Sequence, residues 1–81
     1  MRIALSARAV ESLAVMPPPV RRAFAKQLRF LSLNLGHPSL HAKKYDEHRD
    51  VWQARVNRNW RFYFRINGDT YFVDDVIPHP K

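Results

Sequence analysis

Two stretches decide the fold: Val51-Trp52-Gln53-Ala54-Arg55-Val56, and Trp60-Arg61-Phe62-Tyr63-Phe64-Arg65-Ile66-Asn67-Gly68 with its return, Thr70 to Ile77. Trp52, Ala54 and Val56 alternate with Gln53 and Arg55. Trp60, Phe62, Phe64 and Ile66 alternate with Arg61, Tyr63 and Arg65. A period of two marks half-buried strands. Asn67-Gly68 reads as a two-residue hairpin loop, because a type I′ turn needs positive φ at both central positions. That loop pairs Ile66 with Asp69 and sets Arg65 opposite Thr70, Tyr63 opposite Phe72 and Arg61 opposite Asp74. Reading Asn57-Arg58-Asn59 as a three-residue loop pairs Val56 with Trp60, Arg55 with Arg61 and Gln53 with Tyr63. The two hairpins agree in parity, which a slip of one residue would destroy. One face then carries Trp52, Ala54, Val56, Trp60, Phe62, Phe64, Tyr71 and Val73 and is expected to pack on helices. The other carries Gln53, Arg55, Arg61, Tyr63, Arg65, Phe72 and Asp74. Asp75 falls on the apolar face opposite Trp60 and is expected near an edge that water reaches.

Working outward, Lys43 to Asp46 reads as a further short strand after a loop through residue 42. Upstream the period changes to that of a helix. Val20, Phe24, Leu28, Leu31 and Leu35 form one stripe, with Arg22, Lys26 and Arg29 on another face. Gly36, followed by Pro38, is the expected stop. Pro17-Pro18-Pro19 separates this helix from a shorter one over Ala7 to Ala14, with Ser6 as N-cap and Val10, Leu13 and Ala14 inward. Residues 2–5 read as a short strand. The predicted fold class is α+β: an N-terminal strand and an αα-hairpin packed on a curved antiparallel sheet, one domain over residues 1–81.

Composition narrows the function. At 81 residues, 46% apolar and 12% aromatic, the chain has material for a core, though a thin one. It has no cysteine, hence no disulfide or thiolate metal site, which suits a reducing cytoplasm. No apolar run approaches the roughly 18–20 residues of a membrane span, and the N-terminus shows no signal-peptide core. No metal or cofactor motif is present, and His37, His41 and His48 lack ligand spacing. Fourteen Lys and Arg against seven Asp and Glu give a net charge of +7. Such a balance favours a polyanionic partner, a nucleic acid or an acidic protein.

The polar sheet face concentrates that charge. Two arginines directly opposite each other, Arg55 and Arg61, disfavour folding unless an anion lies between them. Asp74 is the internal candidate and a phosphate the external one, matched by the guanidinium fork. Tyr63 and Phe72 offer flat surfaces for bases. His79 brings a group that titrates near neutrality, and Lys43 and Lys44 are expected to fringe the same face. The plain alternatives are a solvated Arg65, an ordinary Arg61–Asp74 ion pair, a Tyr63 that is simply a strand former, and a loop histidine at position 79.

The order helix, helix, sheet resembles the RelE/ParE toxin superfamily over nearly the whole chain. The most specific part is the aromatic-Arg-apolar strand Trp60-Arg61-Phe62-Tyr63, with a final strand Tyr71-Phe72-Val73-Asp74-Asp75-Val76-Ile77-Pro78 that runs into His79. The resemblance implies the toxin of a type II toxin–antitoxin system. In its mRNA-cleaving members, the 2′-OH of an mRNA held in the ribosomal A site attacks the adjacent phosphate. Carried onto this sequence, Arg61 matches the phosphate-binding arginine. Arg55 takes the basic position of the neighbouring strand, and His79 the position of a general acid or base. Lys43, Lys44, Gln53, Tyr63, Arg65 and Asp74 become the expected RNA-binding set. Two positions depart from the pattern. Gln53 stands where RelE itself has lysine, and no tyrosine follows His79, for which Tyr63 is the candidate substitute. The implied partner is an acidic antitoxin encoded nearby, partly disordered until it binds. The competing readings are a ParE-like gyrase inhibitor without catalysis and an inactive RNA-binding or antitoxin-pairing module.

Overall fold

The computed structural model describes residues 1–79, leaving Pro80 and Lys81, which belong to the predicted C-terminal segment, outside the described residues. Its elements are β1 (Arg2–Leu5), α1 (Ala7–Val15), α2 (Pro18–Leu33), a 3-10 turn (Pro38–Leu40), β2 (Lys43–Asp46), β3 (Val51–Arg55), β4 (Trp60–Asn67) and β5 (Thr70–Pro78). The five strands form one sheet in the order β1-β5-β4-β3-β2. β2 to β5 pair antiparallel, as their alternation implied. β1 runs parallel to β5, with Ile3 beside Tyr71 and Leu5 beside Val73, so the sheet is mixed. Parallel pairing needs a crossover, and here the two helices and three strands between β1 and β5 supply it.

The αα-hairpin covers one sheet face. Ser6 caps α1, its hydroxyl accepting from the Ala9 amide at 3.0 Å. Ala9, Leu13 and Met16 face inward, while Val10 (52% exposed) and Ala14 face out. Of the predicted inward set Leu13 is inward, while Val10 and Ala14 are exposed and Ala9 takes the buried position instead. α2 opens on prolines, which a first helical turn tolerates, and buries Val20, Phe24 and Leu31. It ends at Leu33, before the predicted Gly36. Asn34 leaves helical geometry, and its side chain accepts from the Gly36 amide at 2.9 Å. The core joins these side chains to Ala54, Val56, Phe62, Phe64, Val73 and Val76. Phe24 meets Phe62 edge-on, with ring centroids 5.4 Å apart.

The β3–β4 register is the predicted one. Arg55 is opposite Arg61, Gln53 is opposite Tyr63, and the Val56 amide donates to the Trp60 carbonyl at 3.0 Å. The β4–β5 register differs. Asn67 pairs with Thr70, so the loop is Gly68-Asp69 and only Gly68 has positive φ (59°). A positive φ at the first central position alone is what a type II′ turn uses. Arg65 therefore faces Phe72, and Arg61 faces Ile77 rather than Asp74. A β-bulge follows: Phe64 pairs with Val73 but Tyr63 pairs with Asp75, leaving Asp74 as the extra residue. The bulge corrects the expectation for Asp75 as well. Val76, opposite Phe62, takes the core position, while Asp75 accepts from the Ser12 hydroxyl at 3.1 Å.

Candidate functional site

The site grows from the loop between β3 and β4. Asn57 folds it, its side-chain oxygen accepting from the Asn59 and Trp60 amides at 2.9 and 3.0 Å. The loop carbonyls of Asn57 and Trp60 then accept from Arg61 Nη1 at 2.8 and 3.0 Å. The His79 amide donates to the Asn59 carbonyl at 2.6 Å, which ties the segment after β5 to the same loop. Arg61, Arg55 and His79 are thereby brought to one end of the sheet.

There they line an open recess of about 360 Å³ together with Lys43, Gln53 and His41. Among the described residues no carboxylate pairs with either arginine; the ion pairs are Arg2–Asp69, Lys44–Asp50, Arg49–Asp46 and Arg65–Asp74. The Arg61–Asp74 pair, one of the two alternatives open from sequence, does not form, because the bulge and the shifted register hand Asp74 to Arg65. Arg65 Nε and Nη2 bind the two Asp74 oxygens at 2.9 and 2.8 Å, and this raises the Arg65 pKa. Arg61 shifts the other way. Partial burial lowers its pKa first, and repulsion from Arg55 lowers it further. Arg55 Nε is buried without a hydrogen-bond partner. A buried, unpaired donor beside a second guanidinium is costly, and negative charge in the recess would offset the repulsion between the two guanidiniums.

The remaining predicted residues divide between two places and the far face. Lys43 lies directly opposite Gln53 and joins the recess. Gln53 donates to the Tyr63 hydroxyl at 3.0 Å, linking the recess to a neighbouring groove. That groove, about 1000 Å³, takes in Tyr63, Arg65, Asp74, Asp75, Tyr45 and Arg8. Lys44 is on neither. Strand alternation turns it to the other face, where its ammonium lies 5.1 Å from the Trp52 ring centre and 2.7 Å from Asp50. The expectation that Lys44 fringes the polar face is corrected accordingly.

Arg8, Tyr45 and His41, which line the groove or the recess, were not singled out from sequence as site residues. Tyr45 is 61% exposed and stands edge-on to Tyr63, with centroids 5.0 Å apart. His41, read as a surface histidine, lines the recess. For Tyr45 the signal available was parity with Lys43, but it depended on a strand only four residues long; His41 precedes that strand with a left-handed backbone and carried no such signal.

No protein-family model matches the sequence, and no curated protein matches it. Solved structures do. The chain is similar to a YoeB/ParE toxin from Agrobacterium tumefaciens, with TM-score 0.83, 12% identity, and 99% of this chain and 100% of that one covered. It is similar to the RelE chain-fold in an archaeal RelE–RelB complex from Pyrococcus horikoshii, with TM-score 0.79, 17% identity, and 95% and 92% covered. The isolated Escherichia coli RelE toxin superposes with TM-score 0.78 at 14% identity, 99% and 85% covered. The chain thus has the fold of the RelE/YoeB toxins.

Proposed function

We propose that this chain is the toxin of a type II toxin–antitoxin pair and cleaves mRNA in the ribosomal A site. The observation that carries this reading is the Arg55–Arg61 pair: opposite each other, without a carboxylate among the described residues, one Nε buried and unpartnered. In the reaction the 2′-OH attacks the adjacent phosphorus and negative charge builds on the phosphoryl oxygens. Guanidiniums held by the scaffold before substrate arrives stabilise that charge without reorganising, an effect worth on the order of 10²–10³ in rate per donor. Arg61 is held in this way by the loop carbonyls. His79 supplies proton transfer. Lys43 and Gln53 border the phosphate position. Tyr63 offers a ring to a neighbouring base, and Arg65, its charge offset by Asp74, is suited to hydrogen bonding rather than to holding a phosphate.

The partner follows from the charge. A net charge of +7 and a recess lined by Lys43, Arg55 and Arg61 call for an acidic segment that orders on binding. The similar RelE and YoeB chains include ones solved with RelB or YefM antitoxins, which supports an antitoxin here.

The test is induced expression in a bacterium of the wild type, Arg61→Ala and His79→Ala, with primer extension on abundant mRNAs. Growth arrest with new 5′ ends inside translated codons, lost in Arg61→Ala, is the expected result. Arrest without such ends, accompanied by a DNA-damage response, would redirect the assignment to gyrase. Normal growth with a folded protein would leave a binding module.

A further inference from the structure

We propose that His41 is a second proton-transfer group of the recess, dividing with His79 the two proton movements of RNA cleavage; the inference rests on the nuclease reading above. Cleavage needs two such movements. As the 2′-O–P bond forms, a base takes the 2′-OH proton. As the P–O5′ bond breaks, an acid gives a proton to the 5′-oxygen. The products are a 2′,3′-cyclic phosphate and a 5′-OH. The two imidazoles finish with exchanged protonation states, which exchange with water resets.

The recess supplies the pair. His41 and His79 line it together with Arg55 and Arg61, and among the described residues its lining contains no carboxylate. Of the side chains there, imidazole is the type that exchanges protons near neutrality. The placement of His41 is built rather than incidental. Its backbone is left-handed (φ 46°, ψ 42°), an uncommon state for a residue other than glycine, and its amide is tied to the Pro38 carbonyl at 3.3 Å. A single buried side chain sets where this turn stands relative to the arginines. Gln27, 3% exposed, donates from Nε2 to the Ser39 carbonyl at 3.0 Å and to the Arg55 carbonyl at 2.8 Å. Its oxygen accepts from the Ser39 hydroxyl at 3.1 Å. One amide therefore joins the turn that ends in His41 to the strand end that carries Arg55. The charged or titratable groups that line the recess with His41 are Lys43 from β2, Arg55 from β3, Arg61 from β4 and His79 beyond β5.

The test is single-turnover cleavage on mRNA-programmed ribosomes, followed across pH, for the wild type, His41→Asn and His79→Asn. Asparagine tolerates the left-handed backbone, so His41→Asn keeps the turn. The wild type is expected to give a rate that rises and then falls with pH. Each variant is expected to lose at least about 100-fold and one limb of the profile, the two variants losing opposite limbs. A His41→Asn variant within about threefold of wild type would sink the proposal. So would a slower one that keeps both limbs, since that marks a positioning role. A wild type that cleaves nothing would overturn the nuclease reading and this inference together, whereas a cleaving wild type with an indifferent His41 overturns the inference alone.

Discussion

Val73 and Val76 are both fully buried although they stand three residues apart on one strand, a spacing that strict alternation sends to opposite faces. The bulge at Asp74 reconciles them. It keeps Asp74 and Asp75 away from the core and leaves Asp74 to pair with Arg65.

Deleting Asp74 leaves Val-Asp-Val in plain alternation, with Phe62 still opposite Val76. The shortened chain is expected to fold, at a cost of about 1–3 kcal/mol from the altered twist and the lost Arg65 contact. Urea denaturation measures it. A chain without a cooperative transition would show that the bulge is required for folding and not only for directing the two aspartates.

The Arg55–Arg61 pair predicts stabilisation by simple anions. At a phosphate concentration ten times its Kd, the gain is about 1.4 kcal/mol, several degrees in Tm for a chain of this size. Thermal melts in phosphate and in chloride at equal ionic strength give the comparison. Arg55→Met is expected to abolish the difference. A phosphate effect of the same size in Arg55→Met would place the anion elsewhere.

Gln27→Leu preserves volume but strands the carbonyls of Ser39 and Arg55. The expected loss is about 1–3 kcal/mol, read as a lower denaturant midpoint. Cleavage is expected to fall as well, at a temperature where the variant is still folded, because the amide fixes the His41 turn against Arg55. Unchanged stability would mean that water replaces the amide at little cost.

Lys44 carries a pH dependence whose sign can be worked out. Its pKa is raised, first by the hydrogen bond to Asp50, so the folded state holds the proton more tightly than the unfolded chain. The resulting stability is fully present below the ordinary lysine value and is lost as pH rises through the raised one. The wild type should therefore exceed Lys44→Met in urea midpoint at mildly alkaline pH, and the gap should narrow at strongly alkaline pH. Arg65 shifts in the same direction but above any workable pH. A gap independent of pH would assign the contribution of Lys44 to its stem over Trp52 rather than to its charge.

Period and turn chemistry made much of the fold readable in advance. The alternation of Trp52 to Val56 and of Trp60 to Ile66 places the core face wherever the strands pair, since each side chain's face follows from its own backbone. The three-residue loop fixed Arg55 against Arg61, and the structure keeps that pairing. The α1 phase was less secure because Val10 and Ala14 are apolar yet exposed, and a nine-residue helix offers few positions to set the phase.

Local sequence thus determined the main elements, the faces of β3 and β4 and the arginine pair, because these depend on backbone period and on a loop of a few residues. Tertiary structure alone decided the bulge, the partner of Asp74, the parallel seating of β1 beside β5, and the arrival of His41 in the recess. Each of those depends on side chains far apart in sequence competing for one place. Val76 displaces Asp75 from the core, Arg65 takes the carboxylate that was one candidate partner for Arg61, and Gln27 reaches across 28 positions to the carbonyl of Arg55.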